Sequence, residues 1–374
     1  ITVTYQYELL GSVVTKYELS DGTKLTGELT FDNATTPTTV EEKGLAVANA
    51  TDVSNGTNYD ATTSANKPNK ITTATGEVYY LTTANNGVKA DSAPVTGTVE
   101  EGKTKEVTYV YEKAGSVVIK YINTDGTEIK ATVQDSTNAK PGTAYNAAET
   151  DEKPATIEFN NKKYKLVTKA GTTTTNATYN EEAVVTNGEN VGAAEGQVVS
   201  GKTLEVTYVY EEVKGNVLVK YVDETGAPLA GTATMPGTTT ETVTTDGLKP
   251  VTDASVNSDY NVADKKASKI TTADGKVYRL ITEREGLLDG SKPVSGKVEE
   301  NEITVTYQYE LVNGDVTVTY KDTEGNKIEG YETPKDAEKA APTGKDFNTA
   351  TDALKPAKIT TPSGKVYNLV PEST

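Results

Sequence analysis

GSVVIKY, Gly115 to Tyr121, decides the fold because the chain says it four times: the others are GSVVTKY from Gly11, GNVLVKY from Gly215 and GDVTVTY from Gly314. Within it Val117, Ile119 and Tyr121 alternate with Val118 and Lys120, the period of two that marks a half-buried strand. A second phrase stands just ahead of each opening strand. ITVTYQYEL from Ile1 returns letter for letter from Ile303, with EVTYVYE from Glu106 and Glu205 between them. A fixed period of roughly 100 residues means tandem domains rather than one large core. Arrays of this kind present surface or span distance, whereas chemistry normally needs one unique site.

Two hairpins follow from local signals. Five residues after each opening-strand tyrosine comes Gly22, Gly126, Gly226 or Gly325, placed to take the positive φ of a tight turn. The second hairpin reads ITTATGEVYYL from Ile71, IEFNNKKYKL from Ile157, ITTADGKVYRL from Ile270 and ITTPSGKVYNL from Ile359, turning at Thr75-Gly76, Asn160-Asn161, Asp274-Gly275 and Ser363-Gly364. Tyr79, Tyr164, Tyr278 and Tyr367 stay tyrosine, while the next position varies through Tyr80, Lys165, Arg279 and Asn368. The varying position is therefore read as the wet one. The segments from Tyr59, Tyr145, Tyr260 and Phe347 are expected to hold at most one short helix each, limited by a following proline such as Pro154.

In the closing strand Val107, Tyr109 and Tyr111 share one face, read as pointing inward; its opposite face in the third copy, Thr304, Thr306, Gln308 and Glu310, is read as solvent-facing. The boundaries drawn are a preceding closing strand at 1–10 and repeats at 11–112, 113–212, 213–311 and 312–374, the last truncated. Both ends read as cuts within a longer protein. Residues 30–58 and 171–195, rich in Thr, Asn and Gly, are expected as divergent loops where partner contacts fall. Only a few residues link one copy to the next, so stiff coupling is expected, with Gly115 and Gly215 as hinges.

Composition bounds the function. A net charge of −17 and a pI near 4.7 set nucleic acid aside as a partner, and no apolar run approaches the ~20 residues of a membrane helix. With no His and no Cys there is no Ser-His or Cys-His nucleophile pair, no disulfide and no Cys/His metal site, so neither an enzyme nor a cofactor is expected.

Laid out this way, each copy resembles the MucBP repeats of Gram-positive surface proteins. The second copy supplies the pattern as Gly115, Val117, Ile119, Tyr121, Gly126, Gly142, Tyr145, Tyr164, Leu166, Gly196, Val198, Val206, Tyr208 and Tyr210. The Gly142-Thr-Ala-Tyr145 element departs to Ser258-Asp-Tyr260 in the third copy. The repeat length is also similar to that of the streptococcal surface repeats of fibronectin- and plasminogen-binding adhesins. The resemblance implies a mainly β array of β-grasp (ubiquitin-like) domains forming an elongated rod. It also implies a wall-anchored, extracellular, monomeric protein that binds host mucin or extracellular-matrix glycoprotein. The alternative is a stalk that only projects another domain.

Candidate sites are few. Tyr80, Lys165 and Arg279 are the ligand-binding candidates, a tyrosine offering an apolar face and a hydroxyl together. Adjacent acids such as Glu100-Glu101 and Glu299-Glu300 point to opposite sides of an extended chain and do not make a glycosidase pair. Asn123, Asp125 and Glu128 faintly resemble a calcium loop, but the other copies do not keep those oxygens, so a hairpin turn is the reading. Lys16, Lys120 and Lys220 sit where an isopeptide crosslink would start, but the closing strands carry no Asn or Asp to receive it.

Overall fold

The computed structural model describes residues 1–343 and 346–371, so residues 344–345 and 372–374 of the fourth copy lie outside the described residues. The chain forms two compact units, residues 1–159 with 164–212, and residues 160–163 with 213–374.

Copy 2 shows the plan most simply. Its opening strand Gly115–Asn123 makes an antiparallel hairpin with Glu128–Ala139 on one side and lies parallel to the closing strand Thr203–Glu212 on the other. The closing strand then receives Lys162–Leu166, whose hairpin partner Thr156–Phe159 ends the five-stranded sheet. Copies 1 and 3 keep this centre inside seven-stranded sheets. Both hairpins turn as the sequence indicates: Gly22, Gly126, Gly226 and Gly325 have φ between 81° and 90°, and Asn160 and Asn161 are both left-handed.

The strand periodicity becomes three cores. Val117, Ile119, Tyr121, Val206, Tyr208 and Tyr210 are fully buried in copy 2, as are Val217, Val219, Tyr307 and Tyr309 in copy 3 and Val13, Tyr109 and Tyr111 in copy 1. The tyrosine rings meet at angles, Tyr17 against Tyr111 at 5.9 Å and Tyr221 against Tyr309 at 6.1 Å.

The connection between the two hairpins, where a short helix was expected, contains no α-helix among the described residues. Copies 1, 2 and 4 make one helical turn there, Lys67, Lys153 and Lys355 each donating to the carbonyl four residues back, and copy 3 makes the 3-10 turn Ala263–Lys265. The parallel terminal strands of a β-grasp are present, and an extended crossover stands in the place of its helix.

Three readings are corrected. Residues 30–58 are not a free loop: Thr38–Val40 and Leu45–Ala46 join the sheet, and Val40, Val47 and Ala50 are buried, giving a polar-looking insertion a core-facing minority. In 171–195 a small hairpin forms, Gly171–Thr172 with Thr178–Tyr179, and Ala183 and Val185 pack with Val209 in a satellite core. That packing also overturns a fully solvent-facing outer side of the closing strand, since Val209, Thr108 and Thr306 are all buried. Finally, Gly115 is not a hinge. A Cβ on it would lie 2.3 Å from the Val199 carbonyl oxygen, and on Gly11 or Gly215 a Cβ would lie 2.1 or 2.0 Å from the carbonyl of Glu100 or Glu299. Glycine stands there because the turn ahead of the closing strand presses on the opening strand's first residue.

Within the first unit, copies 1 and 2 are joined tightly. Ala114 between them is buried and donates to the Val78 carbonyl, and the Lys113 carbonyl accepts from both the Gly201 amide and the Ser200 hydroxyl at 3.1 Å.

Candidate binding surface

The buried tyrosines are claimed by the fold. Tyr109, Tyr208 and Tyr309 donate to the carbonyls of Ala61, Ala147 and Ala267 at 2.8 to 2.9 Å, and Tyr111 and Tyr210 to those of Pro68 and Pro154. The opening-strand tyrosines do likewise: Tyr17, Tyr121, Tyr221 and Tyr320 bond the carbonyls of Asn66, Glu152, Lys265 and Leu354. All of these acceptors lie in the crossover, whose irregular backbone leaves carbonyls that need partners. A tyrosine can fill the core and satisfy that carbonyl; a phenylalanine can only fill the core. Burial pushes the phenols of Tyr109 and Tyr121 up to about 12. They stay protonated donors at physiological pH.

Tyr145 has a similar explanation. It pairs with Gly196, its ring lies where a side chain on that glycine would be, at 3.0 Å from a Cβ, and its hydroxyl bonds the Ala193 carbonyl. Tyr59 with Gly97 and Tyr260 with Gly296 repeat the arrangement. Nothing local in the sequence explains a tyrosine at these positions, because the glycine it covers is distant along the chain.

Tyr80, Lys165 and Arg279 occupy the same place in three different sheets, so they do not converge on one site. Each lies opposite a glutamate of the closing strand: Glu112, Glu211 and Glu310. Arg279 Nε reaches Glu310 Oε1 at 2.7 Å, Lys165 Nζ lies 3.6 Å from Glu211 Oε1, and the half-buried Tyr80 donates to the Asn138 carbonyl of copy 2 at 3.0 Å. Tyr80 thus serves the contact between copies 1 and 2.

The other polar clusters are also internally occupied. Glu100 binds Lys103 and Lys105, both at 2.8 Å, and these cations, Lys103 foremost, hold its exposed carboxyl down to about 2. Glu299 pairs with Lys292. Asn123 Oδ1 accepts the amides of Asp125 and Thr127, the bonding of a turn. Lys120 pairs with Glu205 across the parallel strands at 2.7 Å, and Lys16 with Glu106 in the same way. Among the described residues no group of three or more acidic side chains is placed to hold a metal ion, and no helix is long and apolar enough to cross a membrane.

An open apolar feature lies in copy 4. Copy 4 carries a cavity of about 280 Å³ lined by Val318, Tyr320, Ile328, Leu354, Ile359 and Tyr367 among others. It lies between Asn313–Val318 and Val366–Asn368, where the other copies hold a closing strand.

The muramidase-released protein of Streptococcus suis is 38% identical over 261 residues, which is 69% of this chain and 19% of that protein. The chain therefore spans about a fifth of the relative's length. Among solved structures, the Bacillus anthracis TIE protein covers 81% of this chain and 51% of its own at 13% identity and a TM-score of 0.26. Domains 3-4 of the streptococcal high identity repeats in tandem, from a cell surface protein, cover 53% and 98% at 8% identity and a TM-score of 0.22. The MucBP domain model matches residues 216–310 and 315–372, so copies 3 and 4 are MucBP domains, and copies 1 and 2 repeat their opening and closing strands.

Proposed function

We propose that this chain is repeat region of a bacterial cell-surface adhesin, exposed outside the cell, whose tandem domains bind host glycoprotein or extracellular-matrix ligands of the mucin, fibronectin or plasminogen class. The observation that carries the reading is the MucBP match over two consecutive copies in a chain that repeats the same strands throughout. Repetition suits weak sites that gain by number. No catalytic role is assigned, because the repeated polar groups are engaged with one another and the chain has no His or Cys.

A second reading has a specific observation behind it. The tyrosine faces are buried, and Tyr80, Lys165 and Arg279 all have partners within the protein. On that ground the repeats are a stalk, and the ligand is met elsewhere.

Immobilised mucin, fibronectin and plasminogen separate the two. Binding by the whole chain that weakens strongly when it is shortened to a single copy supports adhesive repeats. Equal affinity for one and for three copies places the site in one insertion, and absence of binding to all three ligands favours the stalk.

A further inference from the structure

In each complete copy the strand that begins the repeat and the strand that ends it lie side by side and run the same way. The register goes from Ser12 opposite Thr104 to Leu19 opposite Tyr111 in copy 1, and from Ser116 opposite Thr203 to Asn123 opposite Tyr210 in copy 2. In copy 3 it goes from Val217 opposite Ile303 to Val222 opposite Gln308. In a parallel pair the two strand starts are neighbours, so the point where the chain enters a copy and the point where it leaves lie at opposite ends of the ladder. Almost nothing intervenes between copies 1 and 2, since Lys113 passes through the buried Ala114 straight into Gly115.

Tension along the chain therefore drags the two strands past each other along their length. Every bond of the ladder carries load at once, unlike a hairpin pulled from its open end, whose bonds break in turn. Side chains on both faces oppose the slide. A slip of one residue would turn Tyr208 and Tyr210 out of the core. A slip of two would carry their hydroxyls about 7 Å from the Ala147 and Pro154 carbonyls and would part Lys120 from Glu205.

We infer that each complete copy is a tension-bearing clamp, a mechanical function that does not depend on which ligand, if any, the repeats bind. Copy 4 is the internal contrast: Asn313–Val318 is paired with Lys335–Pro342 alone among the described residues, with no parallel partner.

The chain has no cysteine, so introduced cysteines define where it is pulled. In the whole chain, Ser116→Cys with Glu211→Cys loads copy 2 along its ladder, whereas Ser116→Cys with Thr203→Cys pulls neighbouring strand starts apart. Both share Ser116→Cys, so any damage from that change cancels in the comparison. Single-molecule pulling at one loading rate should give rupture forces at least about twofold higher for the first pair, because the ladder bonds share the load rather than failing in sequence. The length released, roughly 3.5 Å per residue between the handles, identifies copy 2 as the part that opened. The chain without cysteines, pulled through its ends, should show three high-force events and none from copy 4. Equal forces for the two pairs, or smooth extension without discrete events, would overturn the clamp.

Discussion

Among single residues, the tyrosines carry most of the information. An inward-facing tyrosine row was legible from alternation alone, because period two is a local property of a strand. The reason for tyrosine rather than phenylalanine was not, because the acceptors lie some 30 to 60 positions away in the crossover, as with Tyr121 and Glu152 or Tyr208 and Ala147. Tyr307 supplies a natural control. The stretch from Tyr260 to Ile270 is two residues shorter than that from Tyr145 to Ile157, its crossover runs through a 3-10 turn, and the Tyr307 hydroxyl is buried without a partner. Tyr208→Phe leaves the Ala147 carbonyl unsatisfied and should destabilise copy 2 by about 1–3 kcal/mol, while Tyr307→Phe should be neutral or stabilising in copy 3. Hydrogen exchange of each closing strand reads the copies separately, which a single melting curve of a multidomain chain does not. A loss of protection in copy 3 as large as that in copy 2 would contradict this account of the hydroxyls.

At the level of strands and turns, the sequence was most informative where structure is local. Both hairpins announce themselves by glycine or asparagine at the turn, and Ile71 opposite Tyr79, Ile270 opposite Tyr278 and Ile359 opposite Tyr367 keep one register through three copies. The strands hidden in residues 30–58 were not legible, since two- and three-residue strands are too short to show alternation and their partners are distant. The first glycine of the opening strand was read as a hinge because glycine is the most permissive residue. Its role is the reverse, a place where two backbones come too close for a side chain. Gly115→Ala should therefore cost on the order of 1–3 kcal/mol, the range for forcing extra atoms into a packed site, and should lower protection in both Gly115–Asn123 and the turn at Val199. If alanine is tolerated with no change in exchange at either place, close packing is not why glycine stands there.

For the molecule taken whole, one phrase of the sequence stands in two different settings. Residues 1–10 carry the closing-strand phrase but lie in no strand, with Val3, Tyr5, Tyr7 and Leu9 exposed by 67%, 76%, 91% and 66%. The identical phrase at Ile303–Leu311 is buried between Lys214–Val222 and Val277–Leu280. Copy 4 offers the corresponding slot unfilled, lined by Val318, Tyr320 and Tyr367. Carrying the copy 3 register over places Ile1 opposite Val316, Val3 opposite Val318 and Tyr5 opposite Tyr320. Contact at the end of this segment does not block the pairing. The Leu9 carbonyl accepts the Gly102 amide at 3.3 Å just as the Lys113 carbonyl accepts that of Gly201, and Lys113 still ends a fully paired strand. Unpaired apolar edges recruit partners, so a peptide with the closing-strand phrase should enter copy 4 of this chain. A synthetic ITVTYQYEL peptide carrying cysteine in place of its first threonine should form a disulfide with Thr317→Cys in the chain. The same peptide should raise hydrogen-exchange protection across residues 314–343 of the dilute monomer. A peptide that leaves copy 4 unchanged would show that the slot does not accept a closing strand.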